Sequence, residues 1–131
     1  MFLGLDIGDK YVGIAIAYTG SLLATPKEVL LRANTKAESK IIEMVSNKDI
    51  THVIYGLPFD KFGKMTPQAN KINDFIRRLK KRTRDDLQWV GTDESYTSKE
   101  ASEFTLRKNI KRDDAYAAAL LLERYLSEQA I

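Results

Sequence analysis

Short β-type runs crowd the first third of the chain, and strands then alternate with runs of helical period. A length of 131 residues, 44% hydrophobic and 30% charged, supplies enough apolar material for one compact domain. These observations predict an α/β fold: a mixed five-stranded sheet, antiparallel through its first three strands and parallel in the later strand–helix units, with helices on both faces. One domain covering residues 1–131 is expected, since no repeat, linker or low-complexity stretch divides the chain.

Residues 2–7 are apolar but for Asp6 and read as a strand closing at Asp6-Ile7-Gly8. A turn through Gly8, Asp9 and Lys10 leads to a second run at residues 12–17, so the two predict a hairpin. Thr19-Gly20-Ser21 is turn chemistry, and a third, weaker strand is expected between Leu22 and Leu31, interrupted near Pro26. Over residues 35–47 the period changes. Ala37, Ile41, Ile42 and Val45 recur at helical spacing, with Thr35 as the expected N-cap and Glu38 at the capping-box position.

Residues 52–58 read as the fourth strand, running into a Gly56-Leu57-Pro58 turn, with His52 as its first residue and no chemical role expected of it. A polar loop over residues 59–66 precedes a second helix starting at Pro67, a residue favoured at the first helical position. Its apolar stripe is Ala69, Ile72, Phe75, Ile76 and Leu79; Arg77, Arg78, Lys80, Lys81, Arg82 and Arg84 are expected on the arc facing away. A fifth strand is expected over residues 87–92, with Trp89 in the core and Asp93-Glu94-Ser95 at its carboxyl end. A short helix over residues 98–107 and a last one over 113–129 complete the chain; the run 115–122 is so apolar that this helix must be buried on most sides.

Composition excludes several function classes. There is no cysteine, so disulfides, thiol nucleophiles and Cys-based zinc sites are impossible, and the lone His52 excludes a His-rich metal cage. The longest apolar run has 8 residues, far short of the roughly 20 needed to span a bilayer. The amino terminus lacks a basic segment and meets an acid at position 6, unlike a signal peptide. A soluble, cytoplasmic protein without a membrane partner is expected. The net charge is only +3, so the distribution of charge matters more than its sum.

Three acids occupy places that stability does not require. Asp6 lies inside an apolar strand, Glu94 just past another strand, and Asp114 at the start of the most apolar helix. If those strands share a sheet and the last helix packs on it, the three meet at one end. Carboxylates 4–5 Å apart repel by about 3–4 kcal/mol per pair at an effective dielectric near 20, so such a cluster needs cations. Mg²⁺ prefers carboxylate oxygens plus waters, and a pair of such ions about 4 Å apart activates water and stabilises a leaving oxygen in phosphodiester hydrolysis. Taken singly, Asp114 also reads as a helix-start charge, Glu94 as a solvated loop acid and Asp6 as an Asx-turn residue for Gly8. Two basic clusters, one over residues 77–84 and one of Arg107, Lys108, Lys111 and Arg112, suit a phosphate backbone beside an acidic metal site. Candidate nucleic-acid contacts are Lys10, Arg77, Arg78, Lys81, Lys111 and Arg112, with Tyr96 and Thr97 beside Glu94 for stacking and phosphate contacts.

Leu3-Gly4-Leu5-Asp6-Ile7-Gly8, continuing to Gly13-Ile14-Ala15, resembles the opening of the YqgF (RuvX) family. Gly56-Leu57-Pro58 with Gly63 is similar to its Gly-Leu-Pro segment and following loop; Asp93-Glu94-Ser95-Tyr96-Thr97-Ser98 resembles its Asp-Glu-Arg-x-Thr-Thr block. Asp114-Ala115-Tyr116-Ala117-Ala118 resembles its terminal Asp-x-x-Ala-Ala helix, so four ordered blocks span nearly the whole chain. The resemblance implies a ribonuclease H-like fold and a nuclease that matures the 5′ end of pre-16S rRNA, or resolves Holliday junctions. It implies Asp6, Glu94 and Asp114 as the catalytic and metal-binding triad for Mg²⁺ or Mn²⁺. The chain departs from the family at Ser95, where Arg is usual, and at Asp60, where Asn is common; both changes bear on substrate phosphate contacts.

The leading expectation is therefore a metal-dependent nuclease for structured RNA, with a resolvase of branched DNA as the alternative within the same chemistry; a resolvase would need a dimer to cut two strands. Asp6-Ile7-Gly8 with Gly13 is also similar to the first phosphate loop of actin-like kinases and ATPases, but that fold needs two such domains. A nucleic-acid-binding module without catalysis is the remaining class.

Overall fold

The computed structural model describes residues 1–93 and 114–130. Its elements in chain order are β1 (Phe2–Ile7), β2 (Tyr11–Ala17), β3 (Thr25–Leu31), a 3₁₀ turn at Ala33–Thr35, α1 (Lys36–Val45), β4 (His52–Leu57), α2 (Pro67–Lys80), β5 (Gln88–Asp93) and α3 (Asp114–Gln129). The helix expected over residues 98–107 lies outside the described residues.

The five strands form one sheet in the order β3-β2-β1-β4-β5. β1 pairs antiparallel with β2 and parallel with β4; β2–β3 is antiparallel and β4–β5 parallel. The expected mixed sheet is thus present, with β1 central. Pro26, whose missing N–H weakened the third strand on paper, is the second residue of an edge strand, and a register shift opposite Ile14/Ala15 accommodates it.

Strand alternation sorts the side chains into two layers. Leu3, Leu5, Ile7, Val12, Ile14, Val53, Tyr55 and Leu57 join the buried residues of α1 and α2 in one cluster; Ala15, Ala17 and Ile54 join α3 in the other. All five stripe residues predicted for α2 are buried, as are Ala37, Ile41 and Val45 of α1. Each fully buried Leu, Ile or Phe contributes about 1.5–3 kcal/mol relative to exposure, which fixes both helices to that face. α3 buries Ala115, Ala117, Ala118, Ala119, Leu121, Leu122 and Leu126, as its apolar run requires. Its small residues meet small residues of the sheet. A Cβ on Gly4 would stand 3.0 Å from the Ala118 carbonyl oxygen, so helix and sheet approach backbone to backbone.

Two local expectations fail. Thr35 sits at the N-cap of α1, but with φ 57 and ψ 20 its hydroxyl donates to the Asn34 carbonyl (2.6 Å) instead of accepting from the first turn. The capping box therefore does not form, and Glu38 turns to Arg78, 3.8 Å away. Arg84, expected to face solvent, is tucked against the end of α1: its guanidinium donates to the Val45, Asn47 and Ile50 carbonyls. The Asn47 carbonyl also accepts from the Ile50 N–H at 3.1 Å; for Val45 and Ile50 the cation supplies what a C-cap would.

Candidate functional site

β1, β4 and β5 run parallel, so their carboxyl ends share one edge of the sheet, where ligands bind in open α/β folds. Asp6 is the penultimate residue of β1, half-buried, and lies opposite Gly13 in the β1–β2 ladder. Directly opposed residues point to the same face, and Gly4, two residues before Asp6, faces α3. Asp6 therefore faces α3. A Cβ on Gly13 would fall 2.0 Å from the backbone oxygen of Asp114, so no other residue type allows the start of α3 to sit there. Asp114, half-buried in the first turn of that helix, is thus seated over the residue that pairs with Asp6. Two of the three acids selected from the sequence converge in this way.

Asp93 ends β5 opposite Leu57. It shares a face with Trp89 and Gly91, and a Cβ on Gly91 would touch Tyr55 and Leu57 of the α1/α2 layer. Asp93 therefore belongs to the face opposite Asp6. Glu94 lies outside the described residues, as do Tyr96, Thr97, Lys111 and Arg112. Among the described residues no three metal-capable side chains cluster.

Lys10 is exposed in the turn after β1, on the same edge as Asp6. That turn closes with the Gly8 N–H donating to the Tyr11 carbonyl at 2.9 Å. One strand over, the loop between β4 and α2 folds back on itself through a Phe59–Met65 bridge. Asp60 organises it, accepting through Oδ1 from the Phe62 (2.8 Å) and Lys64 (2.9 Å) amides. The charge that departs from the family pattern is thus engaged by the loop itself. Thr66 caps α2, its Oγ1 accepting from the Ala69 amide and donating to the Pro58 carbonyl at 2.8 Å.

The basic end of α2 stands elsewhere. The helix starts at the carboxyl edge and runs back for 14 residues, about 21 Å, so Arg77, Arg78 and Lys81 are near the amino edge. All three are exposed; Arg77 pairs with Asp74 at 2.7 Å, and the Arg78 guanidinium lies 5.8 Å from the Phe75 ring centre. They do not flank Asp6. His52 is also at the amino edge, opposite Phe2, and burial together with the Met1 ammonium lowers its pKa. The sequence reading missed Arg32, at the carboxyl edge, because a single cation after a strand carries no pattern.

A family model described as RuvX, Holliday junction resolvase, matches residues 1–128. A protein of Sulfurihydrogenibium sp. named "Putative pre-16S rRNA nuclease" is 34% identical over 128 residues, covering 95% of this chain and 88% of its own. One of the same name from Orientia tsutsugamushi is 34% identical, with 92% and 80% covered. Among solved structures, T. thermophilus RuvC in complex with a Holliday junction substrate aligns with a TM-score of 0.60 at 12% identity, covering 98% of this chain and 94% of that one. The fowlpox virus resolvase, in complex with Holliday junction DNA, aligns at 0.56 and 16% identity, with 95% and 97% covered. These two likenesses establish the ribonuclease H-like fold. On the match of its sequence from end to end, the chain belongs to the RuvX family.

Proposed function

We propose that the protein is a metal-dependent nuclease that hydrolyses phosphodiester bonds of structured RNA, with the 5′ end of pre-16S rRNA as its substrate. The observation that carries this reading is the seating of Asp114 over Gly13, the ladder partner of Asp6. Two acids seated on one face at a strand-end edge supply the carboxylate oxygens that hard divalent cations prefer. Oxygen is the only donor type in reach, since the single imidazole is at the far edge; oxygen donors suit Mg²⁺ or Mn²⁺.

Asp6 and Asp114 would hold the ions, with Glu94 as third carboxylate: alternation gives Asp93 to the other face and leaves Glu94 as the acid of that pair to test. When bound, divalent cations lower the pKa of water for attack at phosphorus and offset charge on the leaving oxygen. Asp6 is held by its ladder with β2, one residue past the end of the β1–β4 ladder at Leu5, and the Asp114 backbone is held against Gly13, so both acids sit on backbone already in place when substrate arrives. Lys10 is placed to meet a phosphate next to the scissile one, and the exposed cations of α2, about 20 Å away, suit a distal duplex arm. A soluble cytoplasmic location fits that substrate; among the described residues no helix is long and apolar enough to cross a membrane.

The resolvase alternative is kept by the description of the matching family. The test is cleavage of a 5′-extended 16S precursor beside a four-way DNA junction, with Mg²⁺ or Mn²⁺ and with Asp6→Asn as control. Metal-dependent cutting of the RNA is expected, reduced on the order of 10³-fold in a folded Asp6→Asn protein. Cutting of the junction alone would favour the resolvase. Full activity in Asp6→Asn would sink the acidic site, and cutting of neither substrate would leave a binding module.

A further inference from the structure

We propose that Arg32 is a positioning residue for this site, holding in place the turn that follows Asp6; the proposal rests on the nuclease reading above. Arg32 is the first residue after β3, at the carboxyl edge. Its Nη1 donates to the Gly8 carbonyl at 2.7 Å, and its backbone N–H donates to the Lys10 carbonyl at 2.8 Å. Its guanidinium carbon lies 4.6 Å from the centre of the Phe75 ring, a fully buried side chain of α2. One residue therefore joins the β1–β2 turn, the end of β3 and the second helix.

Both ends of that turn are gripped. Gly8 is two residues beyond Asp6, and Lys10 is the candidate phosphate contact. A strand end frays unless something outside the ladder holds it, and the Asp6 carboxylate moves with the strand end. Arg suits this task better than Lys. Its planar group stacks on an aromatic face while an N–H at its rim bonds a carbonyl, so the geometry is set before substrate binds. A displacement of about 1 Å at a reacting group can cost on the order of 10²-fold in rate, which makes the grip on Gly8 a matter of catalysis as well as of folding.

Arg32→Met keeps the apolar stem over Phe75 and removes the donors; Arg32→Lys restores a charge and a point donor. Amide hydrogen exchange at Gly8, whose N–H closes the turn onto Tyr11, reads the turn without RNA or metal. In Arg32→Met the Gly8 amide is expected to exchange about tenfold faster while Leu5 and Val53, in the central strands, keep their protection. On the precursor RNA, kcat is expected to fall about tenfold or more with KM within about twofold, and Arg32→Lys to recover part of both losses. Unchanged Gly8 exchange in a folded Arg32→Met protein overturns the proposal. So does a rise in KM at unchanged kcat, which would make Arg32 a substrate contact. If the wild-type protein cuts no nucleic acid, the nuclease reading fails, while exchange at Gly8 still decides whether Arg32 holds the turn.

Discussion

At the carboxyl edge of the sheet, strand ends and a helix start deliver Asp6, Asp93 and Asp114, and the approach of α3 to Gly13 leaves no room for a Cβ. At the amino edge cations do structural work. Arg84 binds three carbonyls and sits 2.8 Å from Asp86, and the Met1 ammonium donates to the Asp49 carbonyl at 2.5 Å. The cations at the amino edge offset carbonyl dipoles at the end of α1 and before β4. At the other edge the acids are gathered by packing: α3 seats Asp114 over the ladder partner of Asp6. The acids seated by α3 and the Arg84 and Met1 cations bound to backbone carbonyls are thereby separated by the length of a strand.

Removing the packing that seats the acids should have the largest effect. Gly13→Ala puts a methyl group 2.0 Å from the Asp114 oxygen, and neither backbone can yield without moving α3. A loss of about 3 kcal/mol, or about 10 °C in Tm, is expected, together with loss of cleavage in whatever fraction stays folded. Thermal melting and cleavage per folded molecule check this; an unshifted Tm would mean that Asp114 is not seated where described. Arg84→Met is the matching change at the other edge. It strips the Val45 and Ile50 carbonyls of the guanidinium and leaves Asn47 only its Ile50 N–H, and should cost about 1.5–3 kcal/mol, with cleavage per folded molecule unchanged. If activity falls further than stability, the two edges are not independent.

Much of this division is legible in the residues themselves. Asp6 stands out because an acid inside an apolar strand needs a reason, and the α2 stripe is readable because five apolar residues at helical spacing can bury only one way. The register that sets Gly13 opposite Asp6 is also within reach of the hairpin pattern. The fate of the basic run over residues 77–84 is not. Helical periodicity tells which arc a cation occupies but not which end of the sheet that arc lies over, and that depends on α2 starting at the carboxyl edge and running backwards. Nor could spacing show that Asn34 and Thr35, both at φ 57, turn the Thr35 hydroxyl away from the helix it was expected to cap. Arg32 stayed invisible for a related reason: its three contacts come from parts of the chain 22 to 43 residues away, at Lys10, Gly8 and Phe75.

A smaller effect separates cations that serve the fold from those free to meet a nucleic acid if one lies along α2. Arg77 and Lys81 are exposed, and the Arg77–Asp74 pair at the surface contributes less than about 1 kcal/mol. Replacing both with Gln should leave Tm within about 2 °C. If a distal arm of the substrate lies along α2, the slope of log binding constant against log salt should shrink by about 1 to 2, with kcat at saturating RNA unchanged. An unaltered salt slope would remove α2 from the interface and leave the carboxyl edge to bind alone.

The smallest expected effect tests whether the amino edge carries any chemistry. His52 stacks against Phe2 with ring centres 4.6 Å apart, and its Nδ1 lies 2.8 Å from Thr51 Oγ1. Burial and, secondarily, the Met1 ammonium hold its pKa below the ordinary value. The folded chain then binds this proton less readily than the unfolded chain, whose imidazole titrates near about 6.5. Stability is full above that pH and is lost as pH falls through it toward the lower folded value. His52→Gln should flatten that part of the Tm–pH curve and leave the pH profile of cleavage where it was, since no imidazole reaches the carboxyl edge. If the cleavage profile moves with His52, the separation of the two edges fails, because a proton at one end would then govern chemistry at the other.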